Sequence, residues 1–236
     1  MMNLGESKSL SQQIDAIIEK KKMLSHPFYK VWTEGKLSQE ALREYAKQYY
    51  QFVYHFPTFI SAIHSNASTL VDRQQLLSNL MDEELGEKNH PQLWLQFCDA
   101  LNIPREEAKN AKPLHETEEL NRTFRTLCQK KSFAEGVAAL YAYESQIPAV
   151  SQEKIETLKK FYDISGDREL EFFTVHQEAD IEHTRISREM LDALTDDSQQ
   201  RKAKASAKKL RNSLWKFLDG MYEDFVAKKQ GVPVCA

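Results

Sequence analysis

The sequence predicts an all-α protein, and three observations support that fold class. Its 236 residues include only 7 Gly and 7 Pro, too few for the frequent turns of an all-β protein. Apolar residues recur at spacings of three and four from Ser9 to about Lys229, which is the period of an amphipathic helix. Hydrophobic residues make up 41% of the chain, enough to bury a sizeable core, and no Gly- or Ser-rich linker divides it. We therefore expect a single domain over residues 1–236, with flexible termini at about 1–8 and 230–236.

The apolar period predicts about eight helices followed by a last long one. They lie near residues 10–24, 38–66, 72–90, 91–101, 114–130, 133–148, 151–163, 168–193 and 196–228. Ser38 begins the clearest of them, and its apolar stripe continues past Pro57, which we expect to kink the helix rather than end it. Pro104 and Pro113 mark further helix starts, because proline fits the first turn.

Two other signals concern helix ends. Ser132 and Glu135 have the spacing of a capping box, in which each side chain satisfies an amide at the start of a helix. Gly166 and Gly231 are interpreted as helix stops.

The charge balance excludes several classes of partner. The formal net charge is −3, from 35 acidic and 32 basic residues, whereas a nucleic-acid-binding protein needs a surplus of basic residues. No apolar run approaches the roughly 18 residues of a membrane span. The segment from Met1 to Leu10 is polar and lacks the apolar stretch of a secretory signal. We expect neither a nucleic-acid nor a membrane partner.

The cysteines indicate a reducing compartment. Cys98, Cys128 and Cys235 are far apart and odd in number, so neither a disulfide framework nor a zinc knuckle is indicated. This usage favours a cytoplasmic location.

Polar residues stand where the predicted helix near 168–193 should be apolar. Its inward face begins at Phe172 and ends at Met190, and His176, Asp180 and His183 lie between them on that face. Three ionisable groups on one buried face are energetically costly unless something pairs with them.

Two other predicted helices repeat this anomaly. The buried face of the helix near 72–90, defined by Leu76, Leu77 and Leu80, continues into Glu83, Glu87 and His90. Glu144 falls inside the apolar stripe of the helix that follows Ser132.

A bound metal is the simplest common explanation, because cations offset buried carboxylates and imidazole suits iron, manganese or zinc. A single zinc would leave several of these groups without a role, so two metals fit better. A structural polar network is the alternative. The choice of acid is also open, because Glu87 and His90 form an acid-x-x-His pair whereas a seven-residue spacing to His90 selects Glu83.

Three segments of the sequence resemble a known family. They are Asn79–Glu84 leading to Asn89-His90, Ala138–Pro148 and His176–His183. From about Leu10 to the final helix, the chain resembles the CADD family of haem-oxygenase-like dimetal oxidases, which is related to PqqC and TenA. The resemblance implies a haem-oxygenase-like helical bundle of about seven to nine helices, and a homodimer is common in that fold.

The resemblance also implies a site. It places the ligands of two metal ions (Fe/Fe or Fe/Mn) at Glu83, His90, Glu144, His176, Asp180 and His183. It thereby favours Glu83 over Glu87, which is kept as a neighbour of the ligands. Glu144 is the natural bridging carboxylate by its central place in the order.

The activity that the resemblance implies is a dimetal oxygenase reaction that makes para-aminobenzoate for folate synthesis. The aromatic ring would come from the enzyme's own Tyr29, with dioxygen and an external reductant as co-substrates. Tyr45 and Tyr143 match the other tyrosines of this chemistry, and Lys154 matches the amino donor. Without the resemblance, Tyr45 would be a core aromatic and Lys154 an exposed helix residue.

Three other functions compete with this one. A dimetal oxidase would act on a free small molecule and leave Tyr29 intact. A binding protein would engage host death-domain receptors, as the family name implies, and keep a structural metal site. A PqqC-like cofactor-free oxidase or a TenA-like hydrolase is weaker, because neither Cys98 nor Cys128 has a His or acid partner at helical spacing.

Overall fold

The computed structural model describes residues 8–228, and its regular secondary structure in that range is entirely helical. The helices are α1 (Leu10–Glu19), α2 (Pro27–Thr33), α3 (Gln39–Asn66), α4 (Leu70–Glu84), α5 (His90–Ala100), α6 (Arg105–Lys109), α7 (His115–Gln129), α8 (Phe133–Glu144), α9 (Ile147–Phe161), α10 (Asp167–Asp192) and α11 (Asp197–Tyr222). A 3-10 turn at Met23–Ser25 precedes α2, and a π-helical segment at Glu223–Ala227 follows α11. The all-α prediction is confirmed. The predicted flexible termini lie outside the described residues, apart from Lys8, and so does Gly231.

The short helix α2 was not predicted, and α6 was expected only as a helix start at Pro104. At the start of α2, the His26 ring nitrogen Nδ1 accepts a hydrogen bond from the Phe28 amide at 3.0 Å, and Pro27 occupies the first turn. Gly35 follows α2 with φ of 67°, the left-handed conformation that glycine tolerates best. Helix α6 has only five residues after Pro104, too few to show a period.

The segment predicted as one helix near 72–90 is interrupted between residues 84 and 90. Helix α4 ends at Glu84, and His90 is the first residue of α5. Gly86 adopts φ of 78° between them, and the Asn89 side chain caps α5 by accepting from the Gln92 amide at 3.1 Å. These local signals outweigh the apolar period.

Further boundaries differ from the prediction, and among them α1 ends at Glu19 instead of near residue 24. Helix α8 ends at Glu144, and α9 begins at Ile147 with Pro148 in its first turn, so the break comes before residue 148. Gly166 is not a helix stop. It is the N-cap of α10, where the Glu169 side chain accepts from its amide at 3.1 Å, because α9 has already ended at Phe161.

The buried core is continuous across the helices and has α8 near its centre. Every residue of α8 from Gly136 to Glu144 is buried, and α8 packs against α11, α10, α7 and α3. Helix α3 continues through Pro57 to Asn66, as predicted. Helix α10 contacts α4, α5, α8 and α9. The helices that carry the candidate ligands therefore meet along α10.

The long helices are amphipathic. Helix α11 exposes Arg201, Lys208 and Lys209 while it buries Leu210 and Leu214.

Among residues 8–228, no helix is both long and apolar enough to cross a membrane.

Substituting Gly35 by Ala should destabilise the fold more than substituting Gly86 by Ala. Both glycines have left-handed backbones, which an alanine adopts at a cost of about 1–2 kcal/mol. At Gly35 a Cβ would also lie 2.5 Å from Cγ and 2.9 Å from Cβ of Phe161, whereas at Gly86 nothing lies within 4 Å. We expect Gly35→Ala to lower the free energy of unfolding in urea by about 1–3 kcal/mol more than Gly86→Ala. Equal losses would contradict the packing of α2 against α9.

Candidate metal centre

Helix α10 points two imidazoles and a carboxylate into the core. His176, Asp180 and His183 are each at most 5% exposed, and they follow the buried Phe172 and Phe173 along the helix. The spacings of three and four residues place the polar groups on one face, as predicted.

The first cluster of possible ligands consists of Glu83, His90 and His176. All three are buried, and one ligand atom from each lies within 4.8 Å of the other two. His90 Nδ1 lies 2.5 Å from Glu83 Oε2, and the His90 and His176 rings have centroids 4.2 Å apart. Three separate helices contribute to this cluster.

The second cluster consists of Glu144, Asp180 and His183, and their ligand atoms also lie within 4.8 Å of one another. His183 Nδ1 is 3.5 Å from Asp180 Oδ1 and 3.9 Å from Glu144 Oε1. Asn79 orients Glu144 by donating from Nδ2 to Oε1 at 2.9 Å. Asn79 begins one of the three family-like segments, but the sequence gives no sign of this contact.

The free donor atoms of these clusters fit cations. Glu83 Oε1, Glu144 Oε2, Asp180 Oδ2 and His183 Nδ1 are buried and have no hydrogen-bond partner. Buried polar atoms without partners are rare because each costs desolvation energy. Carboxylate and imidazole are ligands for iron and manganese. The two buried triads are therefore consistent with a dimetal site.

Electrostatics in this region favour the same interpretation. Burial raises the pKa of Glu144 to about 8, and burial together with the Glu83 charge raises the pKa of Asp180 to about 6. Burial and the neighbouring His90 lower the pKa of His176 well below its usual value. Burial thus disfavours the charged forms of these three groups, and a cation would offset that penalty for the carboxylates. Against their own burial, the neighbouring carboxylates raise the pKa of His183 to about 9 and raise that of His90 above its usual value.

The structure separates Glu83 from Glu87. Glu83 is 2% exposed at the end of α4, whereas Glu87 is exposed in the connection to α5. The predicted shared face of one helix is wrong, since Glu83 and His90 belong to different helices and Leu77 is 44% exposed. The seven-residue spacing brings the pair together because the chain turns at Gly86.

The residues expected to carry the chemistry lie together in the core. Tyr29, Tyr45, Tyr143 and Lys154 are each at most 4% exposed. The hydroxyls of Tyr29 and Tyr45 are hydrogen-bonded at 3.1 Å, and Lys154 Nζ donates to the Tyr45 hydroxyl at 2.8 Å.

Lys154 is buried among aromatic rings, contrary to what its local sequence suggests. Its Nζ lies 4.8–5.7 Å from six ring centroids, those of Tyr29, Trp32, Tyr45, Tyr49, Trp94 and Phe173. Burial lowers the pKa of Lys154 to about 7. The amine is therefore available in its neutral, nucleophilic form near neutral pH.

Tyr49 joins Tyr143 to Tyr45, a role that the sequence did not reveal. The Tyr49 and Tyr143 hydroxyls are 2.5 Å apart, and the Tyr49 ring stacks on Tyr45 with centroids 5.4 Å apart. Tyr143 itself precedes Glu144 of the second cluster. The spacing of Tyr45 and Tyr49 showed a shared helical face, which is equally typical of core packing.

The two cysteines within residues 8–228, Cys98 and Cys128, do not support nucleophilic catalysis. Burial raises the pKa of Cys98 to about 12 and raises that of Cys128 further. Neither thiol forms the reactive thiolate at neutral pH.

Known proteins resemble this chain in sequence and in fold. The chain is 42% identical over 229 residues to a protein from Nitrosomonas europaea named 4-aminobenzoate synthase, with 93% of each chain covered. It is 43% identical over 217 residues to a protein of that name from Chlamydia muridarum, with 92% of each covered. A solved domain of unknown function from Shewanella denitrificans, with a haem-oxygenase-like fold, gives a TM-score of 0.74 at 16% identity and covers 96% of this chain and 95% of that one.

The fold and family expected from the sequence are confirmed by these similarities. Residues 11–224, from α1 to the π-helical segment, match the TENA/THI-4/PQQC family. The chain belongs to the TENA/THI-4/PQQC family.

Proposed function

We propose that this protein is a dimetal oxygenase that makes 4-aminobenzoate from the side chain of its own Tyr29, with Lys154 as the amino donor. The observation that carries the proposal is the buried Lys154 amine, which contacts the Tyr45 hydroxyl and lies 5.7 Å from the centre of the Tyr29 ring. An amine and a phenol enclosed together in the core are the two groups that such a product requires. The relatives named 4-aminobenzoate synthase support the same activity.

The two triads would hold the metal ions. Glu83, His90 and His176 form one set of ligands, and Glu144, Asp180 and His183 form the other. Bound iron, or iron with manganese, would supply the electrons that activate dioxygen, with an external reductant restoring them. The protein would contribute the buried imidazoles and carboxylates that hold both ions.

The tyrosines form a chain of contacts from Tyr143, the residue before Glu144 of the second triad, to Tyr29. The Tyr143 and Tyr49 hydroxyls are hydrogen-bonded, and the Tyr49 ring stacks on Tyr45. The Tyr45 hydroxyl is in turn hydrogen-bonded to that of Tyr29. A phenol is oxidised by losing an electron and its hydroxyl proton. Lys154 Nζ donates to the Tyr45 hydroxyl at 2.8 Å, and in its neutral form the lone pair of that nitrogen would receive the proton when Tyr45 is oxidised.

Burial keeps this reaction away from water. The Tyr29 ring is enclosed by Phe28, Trp32 and Tyr45, and Trp32 is held in place because its Nε1 donates to the Thr157 hydroxyl at 2.9 Å. Exclusion of water protects oxidised aromatic groups from side reactions.

Incubation with ferrous iron, manganese, dioxygen and a reductant should release at most about one 4-aminobenzoate per chain, since the ring donor is consumed. The tryptic peptide Met23–Lys30 should lose the mass of the Tyr29 side chain in proportion to product. Cleavage after Lys154 should also decline, because trypsin requires its intact amine. Product assay and peptide mass spectrometry measure these changes.

Tyr29→Phe should yield no product, while Tyr162→Phe should behave as wild type. Tyr162 is a matched control, because its ring also packs on Trp32 and it is 7% exposed. Product formation with the Tyr29 peptide intact would show that a free small molecule is the substrate.

Tyr49→Phe should lower the rate of product formation at least about tenfold, or about 1.4 kcal/mol, because the hydroxyl that meets Tyr143 is lost. Tyr50→Phe is the control, since Tyr50 is a buried neighbour on α3 that packs on Tyr54 instead. Equal rates in the two variants would exclude Tyr49 from the path.

The stability of metal-free protein should depend on pH through Lys154. Its pKa is about 7 in the folded chain and 10.5 ordinarily, so between these values the unfolded chain holds an additional proton. Raising the pH therefore favours folding, by up to about 1.4 kcal/mol per pH unit. The free energy of unfolding in urea, measured from pH 6 to 9.5, should rise with pH more steeply for wild type than for Lys154→Met above pH 7. Below pH 7 the two proteins should show the same dependence on pH. A constant difference would mean that the amine keeps its ordinary pKa.

A further inference from the structure

The imidazole of His183 has contacts on both of its nitrogens. Nδ1 faces the second triad, 3.5 Å from Asp180 and 3.9 Å from Glu144. On the opposite edge of the ring, Nε2 lies 3.1 Å from Asp82 Oδ2. A carboxylate can only accept at this contact, so Nε2 carries the hydrogen and donates it to Asp82.

Asp82 lies at the border between the core and the solvent. The His183 side chain is 5% exposed, whereas that of Asp82 is 54% exposed. Asp82 directly precedes Glu83 on the last turn of α4, and neighbouring residues of a helix point in directions about 100° apart. Glu83 therefore reaches the first triad while Asp82 reaches the second through His183.

We propose that Asp82 is a positioning residue for the cation held by Glu144, Asp180 and His183. By accepting the Nε2 hydrogen, its carboxylate would hold the ring in place and leave the lone pair of Nδ1, which faces Asp180 and Glu144, available to a cation. An acceptor on the far nitrogen of a ligating histidine fixes its tautomer and increases its basicity. This inference rests on the proposed dimetal function.

The other two histidines are oriented differently, which makes the effect specific to one triad. His176 Nδ1 donates to the backbone carbonyl of Phe172 at 2.6 Å, so its orientation does not depend on another side chain. His90 Nδ1 lies against Glu83, within the first triad itself. Loss of the Asp82 carboxylate should therefore weaken cation binding by the second triad and leave cation binding by the first triad unchanged.

Glu178 provides a matched control for charge. It lines the same surface cavity of about 460 Å³ as Asp82 and His90, is exposed, and forms no ion pair with His183 in the described part of the chain. Removing it deletes one negative charge from the same cavity and leaves the Asp82–His183 hydrogen bond intact.

The test is anaerobic titration of metal-free protein with Co²⁺, followed by visible absorption and by the number of ions bound per chain. Wild type and Glu178→Ala should bind two ions with the same affinities. Asp82→Ala should bind one ion as wild type does and the other about 10–100-fold more weakly, with altered absorption of that ion. Asp82→Asn should recover part of the loss, because its amide oxygen can accept the same hydrogen bond.

The outcomes separate the two proposals. Two ions bound to Asp82→Ala with wild-type affinities would overturn the role of Asp82 alone. Equal weakening in Asp82→Ala and Glu178→Ala would also overturn it, because the cause would then be charge and not a hydrogen bond to His183. A wild-type chain that binds no Co²⁺ would overturn the dimetal proposal and the role of Asp82 together. Circular dichroism of each variant checks that the helices are retained.

Discussion

The burial of three imidazoles and three carboxylates at the meeting point of α4, α5, α8 and α10 is the constraint on which the rest of the site depends. Four of their donor atoms have no hydrogen-bond partner, and burial raises the pKa of both Glu144 and Asp180. A core of this kind is unfavourable by itself. Two bound cations would offset the cost of burying these six groups. The arrangement is therefore suited to holding metal and not to maximising the stability of the metal-free fold.

A second group that is costly to bury is the amine of Lys154, which lies beside Tyr45. Lys154 is enclosed by aromatic rings, and its hydrogen bond is to the Tyr45 hydroxyl, a neutral partner. That environment holds the amine close to its neutral state, which an amino donor needs. Tyr143, Tyr49 and Tyr45 contact one another in that order. In the proposed reaction they would link the metal ligands to the amine, so that the two need not touch each other.

The spacing of apolar residues does not by itself predict where one helix ends and the next begins. The apolar spacing continues across residues 72–90, yet Gly86 and the Asn89 cap divide that stretch into α4 and α5. The division matters for the site because it lets Glu83 and His90 approach from different helices. Both the glycine and the cap are visible in the sequence, and they outweigh the weaker pattern because left-handed backbone and capping act locally.

The helical period by itself determined the helical class, the inward face of α10 with His176, Asp180 and His183, and the place of Glu144 in an apolar stripe, because these follow from a period of 3.6 residues. The sequence alone left Glu83 and Glu87 as alternatives. Its likeness to a family singled out Tyr29, Tyr45, Tyr143 and Lys154. Only the tertiary structure decided that Lys154 is buried, that Tyr49 bridges two tyrosines and that Asp82 reaches His183. These contacts join residues distant in the chain, and local spacing carries no information about which helices pack together.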